Sequence, residues 1–406
     1  MPGSKQPIIL YILPQYPSYS EVFIHNEIEA LIASGLNIMV LALKRAPQID
    51  GMPAAVIAYD TFFFSPAKLM AHLYVVFHHP KRYIHTLTAE FKARNISWRN
   101  CLRLLRDFST SVYFFRRISK RNVKHIHAHF ISWPTTIARI LAGLSDKKFS
   151  CAAHANDIYT ADTRELICKL KQARFVITCT KYNQAYLRSL TDTGELDSII
   201  HIYHGLDLKK WTRHTPKRVF PSEEIRILSI GRLVEKKGLI YLLKAISLMR
   251  KENMKVTCEI VGEGPLYPEF DQFIHNEGIA DCVRLNGAIA PAEIKAFYEQ
   301  ADVFILPCII ADNGDRDGLP NVLLEALAME IPVITTSISA ISELIEADLT
   351  GLIIMEKAPE SIVKALKTLL SSPQHREILI SNGRHKVESY DLSTSTSYLK
   401  KLFTEL

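Results

Sequence analysis

Short apolar segments alternate with helix-sized segments along nearly the whole 406-residue chain. Unbroken apolar strands that alternate with helices are typical of parallel sheets covered on both faces, so we predict an α/β fold. The predicted strands are Ile8–Leu13, Asn37–Leu43, His125–Ala128, Phe149–Ala153, Phe175–Cys179 and Ile199–Tyr203, then Arg226–Ile230, Thr257–Val261, Val283–Asn286, Val303–Pro307 and Pro332–Thr335. Between strands of the second set, the predicted helices are Leu239–Arg250, Leu266–Asn276, Ala292–Gln300 and Asn321–Met329.

A polar, proline-bearing stretch, WTRHTPKRVFPSEE at Trp211–Glu224, separates the two sets of strands. A chain of this length is too long for one ordinary core. We therefore predict an N-terminal domain at 1–215, a C-terminal domain at 216–388 and a final helix at 389–406. Both domains are expected to be Rossmann-like and doubly wound, and to face each other across a cleft. Such folds bind ligands beyond the carboxyl ends of their strands.

The segment from Thr61 to His125 is basic and rich in aromatic residues. It carries thirteen Lys and Arg against two acids, Glu90 and Asp107. Such a surface can lie on anionic lipid or hold an acidic acceptor, or it can be an amphipathic helical insertion with a solvated basic face. Both interpretations stay open. No nucleic-acid-binding motif accompanies the segment, so we expect no nucleic-acid partner.

The apolar runs, the cysteines and the histidines of the sequence predict a cytoplasmic protein without a metal site. No apolar run approaches the ~18–20 residues of a membrane-spanning helix, and the N-terminus lacks the pattern of a signal peptide. The seven cysteines are scattered without a C-x-x-C pair. His127 and His129 alternate at a strand end, but no third ligand is spaced to complete a zinc site.

Three loops of the second half have the composition of anion-binding loops. Each follows a predicted strand: GRLVEKKG at 231–238, GEGP at 262–265 and DGLP at 317–320. Glycine permits a close backbone turn, and a following helix start offers N–H groups to an anion. Any one of these loops is commonly an ordinary turn. Three at one sheet edge indicate a phosphate site, although neither a P-loop nor a G-x-G-x-x-G turn is present.

Two acids, Asp317 and Glu325, flank the start of the helix after the third loop. Eight helical residues at ~1.5 Å each separate them by about 12 Å. The two carboxylates of a glycosidase lie only about 5–9.5 Å apart across one bond. The pair therefore fits two separate hydroxyl-bearing groups, such as a sugar and a ribose, better than one scissile bond.

The segments GRLVEKKGLIYLLKAI, VGEGPL and DGLPNVLLEALAMEIPVITTSISAISELI resemble the family-4 retaining glycosyltransferases of the GT-B architecture, of the type found in bacterial polysaccharide assembly. That family has an E-x7-E signature before a G-x-P-V-I strand. This sequence departs from it at Asp317, where the family has Glu, and at Glu330, where Gly is usual. GT-B proteins have a last helix that crosses back to the first domain, which the resemblance implies for 389–406.

The resemblance implies a donor-binding role for residues of the second half. Arg232 and Lys237 would hold the donor diphosphate, Asp317 would meet the donor sugar and Glu325 would bind the ribose hydroxyls. The other expected donor-binding residues are Gly231, Gly262, Gly264, Asn286, Gly318 and Leu319.

The resemblance also implies roles in the first half. His154 would contact the donor sugar at the reaction centre, which makes His154, Arg232, Lys237 and Asp317 the expected catalytic residues. The expected acceptor-binding residues are Ser20, Glu21, His129 and Asp157. Ser20 and Glu21 also fit a helix cap with an acidic first turn.

The activity implied is transfer of a sugar from a UDP- or GDP-type donor to a hydroxyl of a glycan or lipid-linked acceptor, with retained configuration. The setting implied is cell-surface polysaccharide biosynthesis, at the inner face of the membrane if segment 61–125 binds anionic lipid. Neither a cofactor nor a metal is expected. The alternatives are a nucleotide-sugar epimerase or phosphorylase of the same fold and a non-catalytic nucleotide-sugar-binding protein of an assembly complex.

Overall fold

The computed structural model describes residues 6–16, 22–45, 56–60, 64–93, 98–191, 196–215 and 224–406. The strands of the first sheet are β1 Ile8–Tyr16, β2 Asn37–Arg45, β3 Val56–Tyr59, β4 Val123–His129, β5 Phe149–Ala153, β6 Val176–Thr178 and β7 Ile199–His201. Those of the second are β8 Ile225–Ile230, β9 Val256–Val261, β10 Val283–Leu285, β11 Val303–Leu306, β12 Val333–Thr336 and β13 Leu352–Ile354.

In chain order, the helices of the described residues are α1 Val22–Ala33, α2 Pro66–His78, α3 Pro80–Ala93, α4 Trp98–Ile118, α5 Trp133–Ser145, α6 Ala155–Tyr159, α7 Thr163–Gln172, α8 Lys181–Ser189, α9 Leu239–Lys251, α10 Tyr267–Asn276, α11 Pro291–Gln300, α12 Asn321–Ala328, α13 Ile341–Leu344, α14 Pro359–Ser371, α15 Pro373–Val387 and α16 Leu392–Thr404. The four helices predicted between strands of the second set lie close to their predicted bounds, at α9, α10, α11 and α12. Short 3-10 turns occupy Leu196–Ser198, Glu235–Lys237 and Glu388–Tyr390.

Both sheets are parallel and share the same order over six strands, to which the first sheet adds β7 as a seventh. The first runs β3-β2-β1-β4-β5-β6-β7 and the second β10-β9-β8-β11-β12-β13. Each follows the doubly wound 3-2-1-4-5-6 order, so the predicted pair of Rossmann-like folds is confirmed. In this order the chain direction across the sheet reverses between β1 and β4 and between β8 and β11. Ligands of such folds bind at these switch points, beyond the carboxyl ends of the strands.

Two strands, β3 and β13, are absent from the sequence prediction. They have four and three residues and lie at sheet edges, where too few apolar positions follow one another to give a strand signal. The basic segment forms α2, α3 and α4 between β3 and β4. Helix α2 buries Lys68, Ala71 and Val75, and Lys68 pairs with Asp60 at 2.9 Å, so this part of the chain is integrated into the first unit.

The chain divides into two compact units, one of residues 1–179, 184–202 and 395–406 and the other of residues 180–183 and 203–394. The division at Tyr203 precedes the predicted boundary at 215/216. Residues shortly before 216 pack in the second unit: Leu206 pairs with Asp391, and the Trp211 ring meets Tyr298 at 5.3 Å between centroids. The end of α16 lies in the first unit, where Phe403 is buried.

Apolar packing holds each sheet between helices. In the second unit a single core cluster contains all six strands and reaches into α9, α12 and α14. In the first unit the two faces of the sheet bury separate clusters, with α4 and α5 on one face and α1 and α16 on the other. The central strands are thus fixed from both sides, which holds the loops at their carboxyl ends in place.

Candidate active site

The 3-10 turn Glu235–Lys237 after β8 and the loop after β11 meet at the switch point of the second sheet. Backbone hydrogen bonds join the two segments, since Ile309 N–H donates to Lys236 O at 2.9 Å. The Asp312 N–H donates to Glu235 Oε1 at 3.1 Å. The two anion-binding loops predicted to converge here therefore do so, and they bring basic and acidic side chains together.

Two lysines and two aspartates form a buried cluster at this point. Lys237 Nζ lies 2.6 Å from Asp317 Oδ2. Lys236 Nζ lies 3.0 Å from Asp315 Oδ1 and 3.5 Å from Asp317 Oδ1. The Cys308 thiol is 3.6 Å from Asp317 Oδ2. Two residues predicted to bind different parts of a donor, Lys237 and Asp317, are thus paired with each other.

In this cluster each charged group favours the ionised form of its oppositely charged neighbour. Burial acts to raise the pKa of Asp317, but the ammonium groups of Lys237 and Lys236 lower that pKa below its usual value. Burial acts to lower the pKa of Lys237, but the Asp317 carboxylate raises that pKa above its usual value. The Lys237–Asp317 pair is therefore ionised at neutral pH. Lys237 therefore already has an anionic partner within the fold.

Glu325, the second acid of the predicted pair, has a different environment. It lies in α12, half-buried, and its Oε2 accepts a hydrogen bond of 2.7 Å from the Tyr298 hydroxyl. Burial raises the pKa of Glu325 to about 7, although the Tyr298 hydrogen bond acts in the opposite direction. Asp317 precedes α12 and lies in the loop, so the two acids differ in both position and protonation equilibrium.

The glycines of the first two loops serve close loop packing. A Cβ at Gly262, whose φ is +141°, would lie 2.0 Å from Gly231 O, and a Cβ at Gly264 would lie 2.3 Å from Leu233 O. At Gly231 a Cβ would lie 3.2 Å from Lys237 Cε, so glycine makes room for the lysine stem. The expected donor contacts of these glycines stay predictions.

The remaining predicted donor-binding residues differ in whether they already make hydrogen bonds within the protein. The Asn286 amide donates to Glu259 Oε2 at 2.7 Å. Arg232 is exposed, and within the described ranges its side chain makes no hydrogen bond or ion pair. The N–H groups of Gly318 and Leu319 make no backbone hydrogen bond within the same ranges. Arg232 and these two amides are therefore the donors most available to an anion.

In the first unit, His154 follows β5 and precedes the short helix α6. Its backbone N–H donates to Asp157 Oδ1 at 2.7 Å, which caps the helix. Asp157 is buried, and burial raises its pKa to about 7 despite backbone hydrogen bonds that lower it. The predicted acceptor residue Asp157 thus holds the backbone of the predicted catalytic residue His154, while its acceptor role stays a prediction.

His129, at the end of β4, is buried and linked on both sides of its ring. Its Nε2 lies 3.0 Å from Glu27 Oε1, and its Nδ1 lies 3.4 Å from His154 Nε2. The other two predicted acceptor residues, Ser20 and Glu21, lie outside the described residues.

The sequence analysis found no third ligand for a zinc site beside His127 and His129, but the fold brings one. Ligand atoms of Glu27, His127 and His129 lie within 4.8 Å of one another. Within this group Glu27 Oε1 and His129 Nε2 are already hydrogen-bonded, at 3.0 Å. Burial also keeps His127 neutral, with a pKa well below its usual value.

Lys236, Asp315 and Glu27 are site residues that the sequence analysis did not select. Lys236 lies inside the quoted loop 231–238, and Asp315 lies two residues before the quoted DGLP. At both places a run of neighbouring charges hides which of them face inward. Glu27 lies in α1, which follows β1, whereas His129 ends β4, about a hundred residues later in the sequence. Pairing of β1 with β4 brings Glu27 to the histidines.

Comparison with known proteins bears on the family and the fold. Residues 212–386 match the family Glycosyl transferases group 1. This match supports the resemblance to GT-B glycosyltransferases seen in the sequence, while the retained configuration stays a prediction. Two relatives are the putative colanic acid biosynthesis glycosyltransferase WcaL of Escherichia coli K12 and the amylovoran biosynthesis glycosyltransferase AmsK of Erwinia amylovora. They are 33% and 36% identical over 190 and 148 residues.

These matches cover 45% and 36% of this chain, and the chain spans 45% and 35% of the two relatives. The fold similarity extends further. The crystal structure of Anabaena Alr3699/HepE in complex with UDP and glucose matches with a TM-score of 0.69 over 98% of this chain and 99% of that one, at 15% identity. The likeness shows a shared fold, which is the predicted GT-B architecture.

Proposed function

We propose that this chain transfers a sugar from a nucleotide-diphosphate sugar to an acceptor hydroxyl, and that the second unit binds the donor. The observation that carries the proposal is the meeting of Lys237 and Asp317 at the β8–β11 switch point, directly before helix α12. The names of the two curated relatives support a role in polysaccharide biosynthesis.

The chemistry follows from the charges around this point. Arg232 and Lys237 stabilise negative charge on the diphosphate as the bond between the sugar carbon and the phosphate oxygen breaks. The N–H groups of Gly318 and Leu319 face the phosphate, and ionised Glu325 accepts hydrogen bonds from the ribose hydroxyls. The acceptor oxygen forms its bond on the face that the phosphate leaves, and the acceptor proton passes to the leaving phosphate oxygen. The sugar configuration is thereby retained.

Calorimetry with UDP and with GDP tests the donor site directly. We expect one of the two to bind, because the basic residues and loop amides recognise a diphosphate and Glu325 recognises a ribose. Absence of binding by both would contradict the proposal.

Turnover of the bound donor then separates the alternative enzymes. Incubation of the corresponding nucleotide sugar without acceptor should leave most of it intact. Conversion to another nucleotide sugar would indicate an epimerase, and a donor that binds but is never transferred to any glycan or lipid-linked acceptor would indicate a binding protein.

We also propose that helices α2 to α4 bind an anionic membrane surface. Leu69, Met70, Leu73, Val76 and Phe77 recur at helical spacing and are 42% to 77% exposed, although the opposite face of α2 is already buried. A second apolar face turned to solvent needs a partner of its own.

The charge of the same three helices indicates which partner this face has. Their exposed cations include Lys81, Arg82, Lys92, Arg103, Arg106, Arg116 and Arg117. Helices that expose apolar side chains together with Lys and Arg fit the headgroup region of an anionic bilayer. No helix within the described ranges is long and apolar enough to span a membrane.

Flotation with phosphatidylglycerol-containing vesicles tests this surface. We expect the protein to float with them and to be released as salt rises. Leu69→Glu/Phe77→Glu should reduce binding about tenfold or more, because each burial is worth roughly 1.5–3 kcal/mol. Ile378→Glu, at a 52% exposed position of the second unit, is the matched control. Binding that ignores lipid charge, or an unaffected double variant, would contradict the proposal.

A further inference from the structure

A chain of hydrogen-bonded side chains in the first unit leads to His154. The Tyr11 hydroxyl in β1 donates to Glu27 Oε1 in α1 at 2.8 Å. The same oxygen lies 3.0 Å from His129 Nε2, and His129 Nδ1 lies 3.4 Å from His154 Nε2. Tyr11, His129 and His154 are 0%, 1% and 8% exposed, so water competes little for these bonds.

The hydrogen bond from Tyr11 to Glu27 determines which ring nitrogen of His129 carries the proton. Glu27 Oε1 accepts a hydrogen bond from Tyr11, so this oxygen is an acceptor toward His129 as well. His129 Nε2 must then carry a hydrogen, and in the neutral ring Nδ1 is left as an acceptor. His154 Nε2 faces that acceptor and must supply the hydrogen between the two rings.

Ring geometry supports a directed bond between the histidines. The planes of His129 and His154 differ by 15°, with centroids 5.6 Å apart. The centroid distance exceeds the 3.4 Å between the facing nitrogens by about two ring radii, so the rings meet edge to edge. An edge-to-edge contact of nearly parallel rings aims an N–H at a ring lone pair.

We propose that Glu27 and His129 are positioning residues that hold His154 in the Nε2-protonated tautomer and fix its ring orientation. The part of this inference that concerns catalysis rests on the proposed function and on the contact with the donor sugar that the family resemblance implies for His154. In this tautomer Nδ1 of the His154 ring is an acceptor, which agrees with the capping box of α6, where the His154 side chain accepts from the Asp157 backbone N–H. Histidines that bind metals or act as bases are oriented by second partners in the same manner.

A metal site is the competing explanation for the same residues. Glu27, His127 and His129 have suitable ligand atoms, but His127 Nδ1 already lies 2.8 Å from the Ser150 hydroxyl. The hydrogen-bonded arrangement needs no ion. Elemental analysis of the purified chain should therefore find no bound zinc, and stoichiometric zinc held by Glu27 and the histidines would overturn the proposal.

The tautomer can be observed without any substrate. Full-length protein with ¹⁵N-labelled histidine should give long-range ¹H–¹⁵N correlations typical of a neutral His154 protonated at Nε2, assigned by their loss in His154→Gln. His129→Asn keeps an acceptor near the former Nδ1, whereas His129→Gln places its amide near the former Nε2. We expect the tautomer to survive in His129→Asn and to become mixed in His129→Gln and Glu27→Ala.

Wild-type His154 protonated at Nδ1, or an unchanged tautomer in both His129→Gln and Glu27→Ala, would overturn the proposal. If a His129 variant fails to fold, Glu27→Gln is the substitute. It keeps the shape and an acceptor oxygen, so the tautomer should persist in it. Loss of the Nε2-protonated form in folded Glu27→Gln would also contradict the inference as stated.

Transfer assays supply the second readout. We expect His129→Gln to lower kcat by about 10- to 100-fold and His129→Asn to recover most of that loss, because a small displacement of an active-site group has effects of this size. Equal losses in both variants would overturn the positioning role. If the chain transfers no sugar at all, the proposed function fails, while the spectra still decide the tautomer.

Discussion

Arg232→Ala should lower kcat/KM for sugar transfer by about 100- to 1,000-fold and leave the thermal midpoint unchanged. The activity loss is expected because a donor aimed at the charge that develops on the leaving diphosphate contributes on this scale. The stability is expected to stay the same because Arg232 is exposed and makes no ion pair within the described ranges.

Arg284→Ala is the matched control. Arg284 is another exposed arginine of the second unit, placed on the edge strand β10 and away from the switch point. Its removal should change neither activity nor stability. Transfer by Arg232→Ala at nearly the wild-type rate would contradict the assigned role.

Lys237→Ala should behave differently from Arg232→Ala, because Lys237 is part of the buried cluster. Its removal takes away a diphosphate contact and leaves Asp317 with only Lys236 at 3.5 Å. Breaking a buried ion pair by removing one partner costs roughly 3–5 kcal/mol, and the second lysine reduces that cost. We expect lower transfer together with a lower thermal midpoint, so the two variants separate donor binding from folding.

Glu325→Gln should weaken nucleotide binding and stabilise the protein at alkaline pH. Binding should fall about 10- to 100-fold, because hydrogen bonds to a charged group contribute about 1.5–3 kcal/mol. Stability should rise because the folded protein holds an acid whose pKa is raised from 4.5 to about 7. Ionising that acid at pH 8 costs up to about 3 kcal/mol, and glutamine avoids this cost.

The sign of the pH dependence follows from the raised pKa. Between pH 4.5 and about 7 the folded protein binds the Glu325 proton more tightly than the unfolded chain does, so this group contributes stability that declines as pH rises. Wild type and Glu325→Gln should thus have similar stability near pH 4.5 and diverge up to about pH 7. As pH decreases below about 7, the nucleotide affinity of the wild type should decrease, whereas the affinity of the variant should not change.

Denaturant unfolding and calorimetry across this pH range measure both effects. Glu269→Gln, at an exposed position in α10, is the control and should change neither quantity. A stability difference that is independent of pH would contradict the raised pKa. Unchanged affinity at pH 8 would contradict the ribose contact.

Much of the fold could be predicted because both sheets are buried on both faces. Central strands such as β4 and β11 are apolar runs with clear ends, and parallel pairing brings those ends to one edge. The prediction failed for β3 and β13, where edge position and short length leave little signal. It also placed the domain boundary after Trp211, because a polar composition does not reveal that this ring packs against Tyr298.

The positions of the loops that carry the predicted donor residues could be predicted because these loops directly follow the strands. Their partners could not be predicted. GRLVEKKG and DNGDRDG show that basic and acidic residues are present, but they do not show that Lys237 pairs with Asp317 and Lys236 with Asp315. Those contacts depend on how two loops more than seventy residues apart pack together.

The sequence by itself determined the parallel α/β architecture, the glycosyltransferase resemblance of the second half and the positions of the three predicted anion-binding loops. The reason is that strand burial and loop position are local properties of the chain. Only the tertiary structure decided the ionisation of Glu325, the pairing of Lys237 with Asp317 and the chain from Glu27 through His129 to His154. Burial, hydrogen bonding and pKa depend on neighbours that folding brings from distant segments.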